Sequence, residues 1–494
     1  MGSAEEDQAA ASSSAFEEEE EVLSPAARLF HAPRFNCYII SIIGSNTAID
    51  PGLVKVSLQQ TLVKHPRFSS NLVVSGRRMK WKPTTVNLQD HIIIPNLDPN
   101  MDSPDQFIED YISHLTTMPL DLSKPLWELH LLNLRTSNAE AIGVFRMHHS
   151  IGDGASLMSL LLACTRKTSD PDSLPTIPVQ KRAGSGSSPG GFWWFFIAIW
   201  LVLRIIWNTF VDLILFSATI LFLKDTKTAL KGSSGVDLKP KRLVYRTISM
   251  DDIKLVKNKM NITINDVILG ITQAGLSRYL NAEYELQSKE GEAKQQKKIS
   301  LLKRIRLRAT VLINLRPTPG IQTLAELMSK ESNQAKWGWG NRIGYIVLPF
   351  RIALQDDPLE YIRQAKAAID RKKLSLEAIC TYRIAKLVLT IFGVKVASAI
   401  AHRFLLNTTM AFSNVVGPLE EISFCGHPIS FLAPSVYGHP HALTIHYQSY
   451  FNKMTIVLAV DPDVIPHPHN LCHHLEESLN IIKDAVVDKG LDAA

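Results

Sequence analysis

The sequence predicts an α/β protein: two α/β sandwich halves, a ligand groove or tunnel between them, and a hydrophobic helical insert at their junction. Three observations carry this. Strand-like apolar runs alternate with amphipathic helical stretches, and the pattern restarts past the middle of the chain. At 494 residues the chain exceeds one ordinary core. Between the halves lies "FWWFFIAIWLVLRIIWNTFVDLILFSATILFL", residues 192–223, which is almost wholly apolar.

Residues 1–22 are acidic and poor in apolar side chains, the reverse of a secretory signal, and predict a disordered tail. The first half follows at 23–180. "LSPAARLF" (23–30) predicts a helix capped by Ser24 with Pro25 at its first position. "CYIISIIG" (37–44) reads as a buried strand, and "PGLVKVSLQQTLVKHPRF" (51–68) as a helix stopped by Pro66. "NLVVS" and "MKWKPTTV" form a hairpin, and "SPDQFIEDYISHLTTMP" (103–119) an amphipathic helix capped by Ser103. "LWELHLLNL" (126–134) and "AIGVFRM" (141–147) are core strands, followed by a mostly buried helix, "ASLMSLLLACTRK" (155–167).

A linker containing "RAGSGSSPGG" and the hydrophobic segment occupy 181–228. Within that segment Arg204, Asn208 and Asp212 recur at i, i+4 and i+8, one stripe of a helix. Charges at mid-bilayer are expensive. Two membrane-associated readings follow. One is a spanning or deeply embedded helix anchored by Trp193, Trp194, Trp200 and Trp207. The other is an in-plane helix or hairpin in one leaflet, its polar stripe facing water or protein. A buried core helix is the alternative to both.

The second half, 229–494, repeats the alternation. Strands are expected at "RLVYRTISM", "TVLINLRP" (310–317), "GYIVLPF", "TTMAFSNVVGP" and "ALTIHYQSYFNKMTIVLAV". Helices are expected at "MDDIKLVKNKM", 263–280, "PLEYIRQAKAAIDRKKLS" and the closing "HNLCHHLEESLNIIKDAVV", with a lysine-rich loop before residue 309 that reads as a flexible surface insertion, a membrane-phosphate patch being the alternative.

Apolar residues at 46% and charged residues at 20% indicate a globular chain rather than a disordered one. A net charge of +6 suits an anionic membrane surface or a phosphate-bearing ligand and is too small to argue for nucleic acid. Cys37, Cys164, Cys380, Cys425 and Cys472 are scattered, with no CxxC pair, as expected of reduced thiols facing the cytosol.

The chemistry concentrates in "FRMHHSIGDGASL" (145–157), between a strand end and a helix start. An imidazole accepts a proton near neutral pH without large tuning, so His149 is a candidate general base. Adjacent histidines on a bent segment point apart, which gives His148 a different task. Asp153 can orient the imidazole or pin the loop through an arginine, while Gly152 and Gly154 permit a tight turn and close approach of a ligand. Ser156 lacks the flanking glycines of a nucleophile elbow. No third ligand supports a metal, and the cluster "HPHNLCHH" (467–474) reads as a surface helix start. The chemistry supported is base activation of a hydroxyl for direct attack on an acyl donor. The alternative is a structural His–Asp pair.

"HHSIGDG" resembles the HHxxxDG motif of the acyl-CoA-dependent acyltransferase superfamily, shared with condensation domains. More closely, the chain resembles the plant wax ester synthase/diacylglycerol acyltransferase (WSD-type O-acyltransferase) family. "PLDLSKPLWELHLL" (119–132), "TINDVILG" (263–270), "INLRP" (313–317), "FSNVVGP" (412–418) and "GHPHALTIHYQSYFNKM" (438–454) support it in order. The resemblance implies two chloramphenicol-acetyltransferase-like halves. It also implies a fatty acyl-CoA substrate, no further cofactor or metal, and a long-chain alcohol or diacylglycerol acceptor. It makes the second histidine, His149, the general base, with His148 and Asp153 beside it in the catalytic motif. It pairs Asp153 with Arg316 of "NLRP". Asn265, Asn314, Ser413 and Asn414 become candidates for supporting the site or polarising the carbonyl.

The insert departs from bacterial relatives in this group. A single crossing would put the halves on opposite sides of a bilayer, against one composite site. The expectation is an embedded hairpin or in-plane helix, with both halves on the cytosolic face of the endoplasmic reticulum, and the plasma membrane as a second location. Three rivals are weighed. A BAHD-type enzyme would carry DFGWG near its C-terminus, where this chain has only "KWGWGN" (336–341) in mid-half. A silent lipid-binding protein would not need the intact motif. A condensation domain would need a carrier-protein partner.

Overall fold

The computed structural model describes residues 21–76, 78–178, 192–287, 304–315 and 339–490. Residues 1–20 of the expected tail, nearly all of the linker and much of the lysine-rich loop lie outside them. Glu21 and Val22, expected in the tail, instead form a short strand paired with Trp81 and Lys80.

Helix α1 (Pro25–Leu29) starts as its sequence directs: the Ala27 N–H donates to Ser24 Oγ at 3.2 Å, and Pro25 opens the first turn. Strand β1 (Tyr38–Ser45) is nearly all buried. Helix α2 (Pro51–Gln60) is capped by Asp50 and ends sooner than Pro66 requires, because the chain tightens into a 3-10 turn at Leu62–Lys64. The hairpin is β2 (Ser70–Ser75) and β3 (Arg78–Pro83). After β4 (Ile92–Ile93), helix α3 (Pro104–Leu115) has Ser103 at its cap position without a side-chain bond. Strands β5 (Trp127–Leu132) and β6 (Ala141–His148) pair antiparallel. Helix α4 (Gly154–Cys164) stops short of the expected end, since Thr165 turns extended and β7 (Thr165–Lys167) joins a sheet.

The hydrophobic segment is one continuous helix, α5 (Phe192–Leu221), and not a hairpin. The second half contains β8 (Arg242–Ser249), α6 (Met250–Lys259), α7 (Ile264–Gln287), β9 (Arg306–Asn314), β10 (Ile343–Arg351) and α8 (Leu359–Lys373). It continues with α9 (Glu377–Asn407), β11 (Met410–Val415), β12 (Ile422–Phe424), β13 (His427–Tyr437), β14 (Leu443–Tyr450), β15 (Lys453–Val460) and α10 (Pro468–Asp488). The sequence pattern does not announce α9, β12 or β13.

Two sheets organise the molecule, β4-β5-β6-β1-β13-β12-β7 and β10-β9-β11-β14-β15-β8. The first sheet is thus completed by strands from the second half, with Tyr437 of β13 opposite Tyr38 of β1. The sheets pack through Leu243, Val457 and Ala459 against Phe431 and Ala433, and Tyr245 stacks on Phe431 at 4.6 Å. The other face of the second sheet buries Leu443, Ile445 and Tyr447 against Ile271 and Leu475 of the helices. Alternation along each strand therefore sorts the side chains of this sheet to its two opposite faces.

The polar stripe of α5 faces protein. Asn208 Nδ2 donates to Leu374 O at 3.0 Å, and Asp212 pairs with Arg371 at 2.8 Å and Lys372 at 3.0 Å. Arg204 instead lies over the Trp200 ring. Helix α9 packs beside α5, with Phe404 on Phe216, and bends at Gly393, whose φ of 78° suits a residue without Cβ. Arg403 donates to the Ile220 and Leu221 carbonyls, each at 2.7 Å, satisfying the end of α5.

Candidate active site

The motif loop begins where β6 leaves the sheet. His148 is the last ladder residue, opposite Tyr38, and the His149 N–H continues the pairing by donating to Cys37 O at 2.9 Å. The chain then turns, and α4 begins with Asp153 as its cap. Asp153 Oδ1 accepts from the Ser156 N–H at 3.0 Å. Gly154 opens that helix with space around it for a side chain.

The two histidines have different surroundings. His148 is fully engaged. Its Nδ1 accepts from the Ser150 N–H and lies 2.7 Å from Ser150 Oγ, so Nε2 carries the proton toward Asn36 Oδ1 at 2.9 Å. Its ring stacks on His31 at 3.9 Å. Burial, then the charges of His31 and His149, hold its pKa well below the ordinary value. His149 is held by its backbone and by the Phe30 ring, stacked at 4.2 Å, while its Nδ1 is buried without a hydrogen-bond partner among the described residues. Burial lowers its pKa, opposed in part by the Asp153 charge, so the ring is neutral near pH 7.

A segment from the second half straps this loop. Trp339 Nε1 donates to Ile151 O at 2.8 Å, and Asn341 Nδ2 to His149 O at 3.1 Å. The Gly340 N–H donates to Ser156 Oγ at 3.3 Å, and the Arg342 N–H to Asp153 Oδ2 at 3.1 Å. Asp153 thus caps a helix with one oxygen and ties the halves together with the other. Leu315 N–H donates to Arg342 O at 3.0 Å, which brings the end of β9 to the same strap. Arg316, the expected partner of Asp153, lies outside the described residues.

The remaining candidates divide by sheet face. Asn314 and Ser413 lie on the face toward the first half, and Ser413 is paired in register with His446. Asn414 lies on the helix side, where its Nδ2 donates to Asn265 Oδ1 at 2.7 Å. Asn265 and Asn414 therefore support each other, away from the motif face. Sequence reasoning assigned no role to His439, His441 and His446, all buried. Burial foremost pushes His439 down to about 3 and His446 to about 4, and the charge of His149 lowers both further. Their signal was three histidines in the short stretch 439–446. Gly438, at a φ of 89°, lets this turn reach Asn36, where any Cβ would strike the Asn36 carbonyl.

The groove expected at His149 is not open there. The residue is only 5% exposed, and Phe30 covers its ring. A cavity of about 660 Å³ lies elsewhere, between α5, β9, β10 and α8. The site can hold a neutral imidazole dry and fixed, next to other neutral imidazoles.

The family descriptions match in two blocks. The wax ester synthase/diacylglycerol acyltransferase catalytic domain covers residues 54–268, and the WS/DGAT C-terminal domain covers residues 339–483. Among similar proteins, wax ester synthase/diacylglycerol acyltransferase 11 of Arabidopsis thaliana is 53% identical over 474 residues, 95% of this chain and 96% of the relative. Wax ester synthase/diacylglycerol acyltransferase 5 of the same plant is 53% identical over 486 residues, 94% of each chain. The wax ester synthase/diacylglycerol acyltransferase from Marinobacter aquaeolei VT8 shares the fold at a TM-score of 0.58 and 17% identity. That match covers 94% of this chain and all of the other. The first condensation domain of the CDA synthetase shares it at 0.55 and 12% identity, covering 97% of this chain and 98% of the domain. The α/β halves, the motif loop and these matches together make the chain a member of the wax ester synthase/diacylglycerol acyltransferase family of acyltransferases.

Proposed function

We propose that this acyltransferase moves a fatty acyl group from acyl-CoA to the hydroxyl of a long-chain alcohol or of diacylglycerol, with His149 as general base. The observation that carries this is the contrast within the pair: both His148 nitrogens are bonded, whereas His149 Nδ1 is buried without a hydrogen-bond partner among the described residues. A base must be both held and unoccupied. His149 takes the acceptor proton as oxygen attacks the thioester carbonyl. The C–O bond forms, the C–S bond breaks, and the imidazolium returns its proton to the departing CoA thiolate. His148, Asp153 and the 339–342 strap position the ring. Phe30 must move or share its place with substrate.

The reading includes membrane embedding from the cytosolic side of the endoplasmic reticulum. Trp193, Phe195, Leu203 and Trp207 are among many large apolar side chains exposed around the first part of α5, and Ile391 and Phe392 are exposed beside the α9 bend. Before Asn208 meets protein, α5 runs freely for about 24 Å at ~1.5 Å per residue, less than the ~30 Å hydrocarbon core. Segments before α5, between α5 and α9, and after α9 all join the two packed sheets, so they share one side of any bilayer. This favours helices lying in one leaflet over crossing helices.

Purified protein incubated with labelled acyl-CoA, mixed fatty alcohols and diacylglycerol should yield esters identifiable by mass. His149→Ala should lower turnover roughly 10²–10⁴-fold while keeping its fold. Undiminished turnover in the folded variant would assign the base elsewhere.

A further inference from the structure

The 660 Å³ cavity is of ligand size, and its charges do not cancel. Arg308 is neutralised by Asp225, at 2.5 Å. Arg371 and Lys372 are neutralised by Asp212 and Glu377, with separations of 2.5–3.0 Å. That leaves Arg306 and Arg351. They line the cavity and stand directly opposite each other in the β9–β10 register. Like charges in that position repel, with Cβ atoms roughly 5 Å apart. The Arg306 guanidinium reaches a carbonyl, Lys224 O at 3.2 Å, and no carboxylate of a described residue. The Arg351 guanidinium has no ion-pair partner among the described residues. Such a pair is relieved by an anion that accepts from both forks, and phosphate geometry matches them. Part of the lining is apolar: Leu215 and Leu223 come from α5 and its end, the helix read above as lying in the membrane.

We propose that this cavity binds the phosphate headgroup of an anionic phospholipid between Arg306 and Arg351, with an acyl chain along Leu215 and Leu223. It is a lipid site separate from the motif loop, and it rests on the embedding of α5 proposed above. It would couple membrane composition to docking of the enzyme.

Flotation with phosphatidylcholine vesicles, alone or doped with phosphatidic acid, tests it in the full-length protein. Wild type should bind both and bind the doped vesicles more tightly. Arg306→Gln/Arg351→Gln should lose about fivefold in affinity per arginine on doped vesicles only. Lys254→Gln/Lys257→Gln, on α6, removes the same charge and should keep the preference. An equal loss in that control would reduce the effect to diffuse surface charge and overturn the site. Thermal-shift titration with a water-soluble short-chain phosphatidic acid reads the cavity without vesicles. Stabilisation of wild type but not of the arginine variant supports the site even if neutral vesicles fail to bind, an outcome that would remove only the embedding. A shift with palmitoyl-CoA or inorganic phosphate but none with the short-chain lipid would overturn the phospholipid assignment.

Discussion

His148 and His149 are neighbours with separate work, and the difference lies in partners far along the chain. Asn36 accepts from one ring and Phe30 covers the other, both more than a hundred residues away. Replacing His148 by alanine leaves the buried Ser150 hydroxyl without its partner and removes the ring stacked on His31. Such orphaning costs roughly 1–3 kcal/mol. His148→Ala should therefore lower the melting temperature by several degrees in calorimetry. The sequence could single out this histidine pair, because adjacent imidazoles before Asp-Gly are a rare local pattern. It could not say that His439 and His446 share their surroundings, since that proximity is created by sheet packing.

At the level of elements, the strap over residues 339–342 is the feature that local reading undervalued. "KWGWGN" carries no local catalytic pattern, yet Trp339, Gly340, Asn341 and Arg342 each bond to the motif loop. Asp153→Ala removes a helix cap worth about 1 kcal/mol and also a tie between the halves. Trp339→Phe keeps the packing against His65 and removes only the bond to Ile151 O. We expect Asp153→Ala to lose both stability and kcat, and Trp339→Phe to lose mainly kcat through a less well-held His149. Parallel measurement of melting and turnover checks this ordering. Helix α9 was illegible for another reason: Gly393 breaks its register, so its apolar residues trace no single stripe.

For the molecule as a whole, the interior carries many neutral imidazoles. Burial lowers His31 and His446 to about 4, and His65 and His439 to about 3. In the unfolded chain these groups titrate near 6.5. Above that pH neither state binds the proton and stability is at its plateau. As pH falls below 6.5 the unfolded state takes up protons that the folded state refuses, so stability drops until the folded values near 3–4 are passed. Each imidazole contributes up to about 3–5 kcal/mol to that loss. Urea midpoints should be flat from pH 7 to 8 and fall steeply from about pH 6 toward 4. A midpoint unchanged across that interval would mean that these histidines are hydrated in solution.

Most element types, the catalytic-looking loop and the apolar insert are legible in the residues alone. Hydrophobic periodicity, caps and turn residues act over a few positions and are written locally. That the first sheet takes strands from the far end of the chain is fixed by long-range packing. The same is true of the polar stripe of α5 meeting Lys372, and of Arg306 standing opposite Arg351. Those outcomes depend on strand register and on packing between distant segments, which no local window of residues contains.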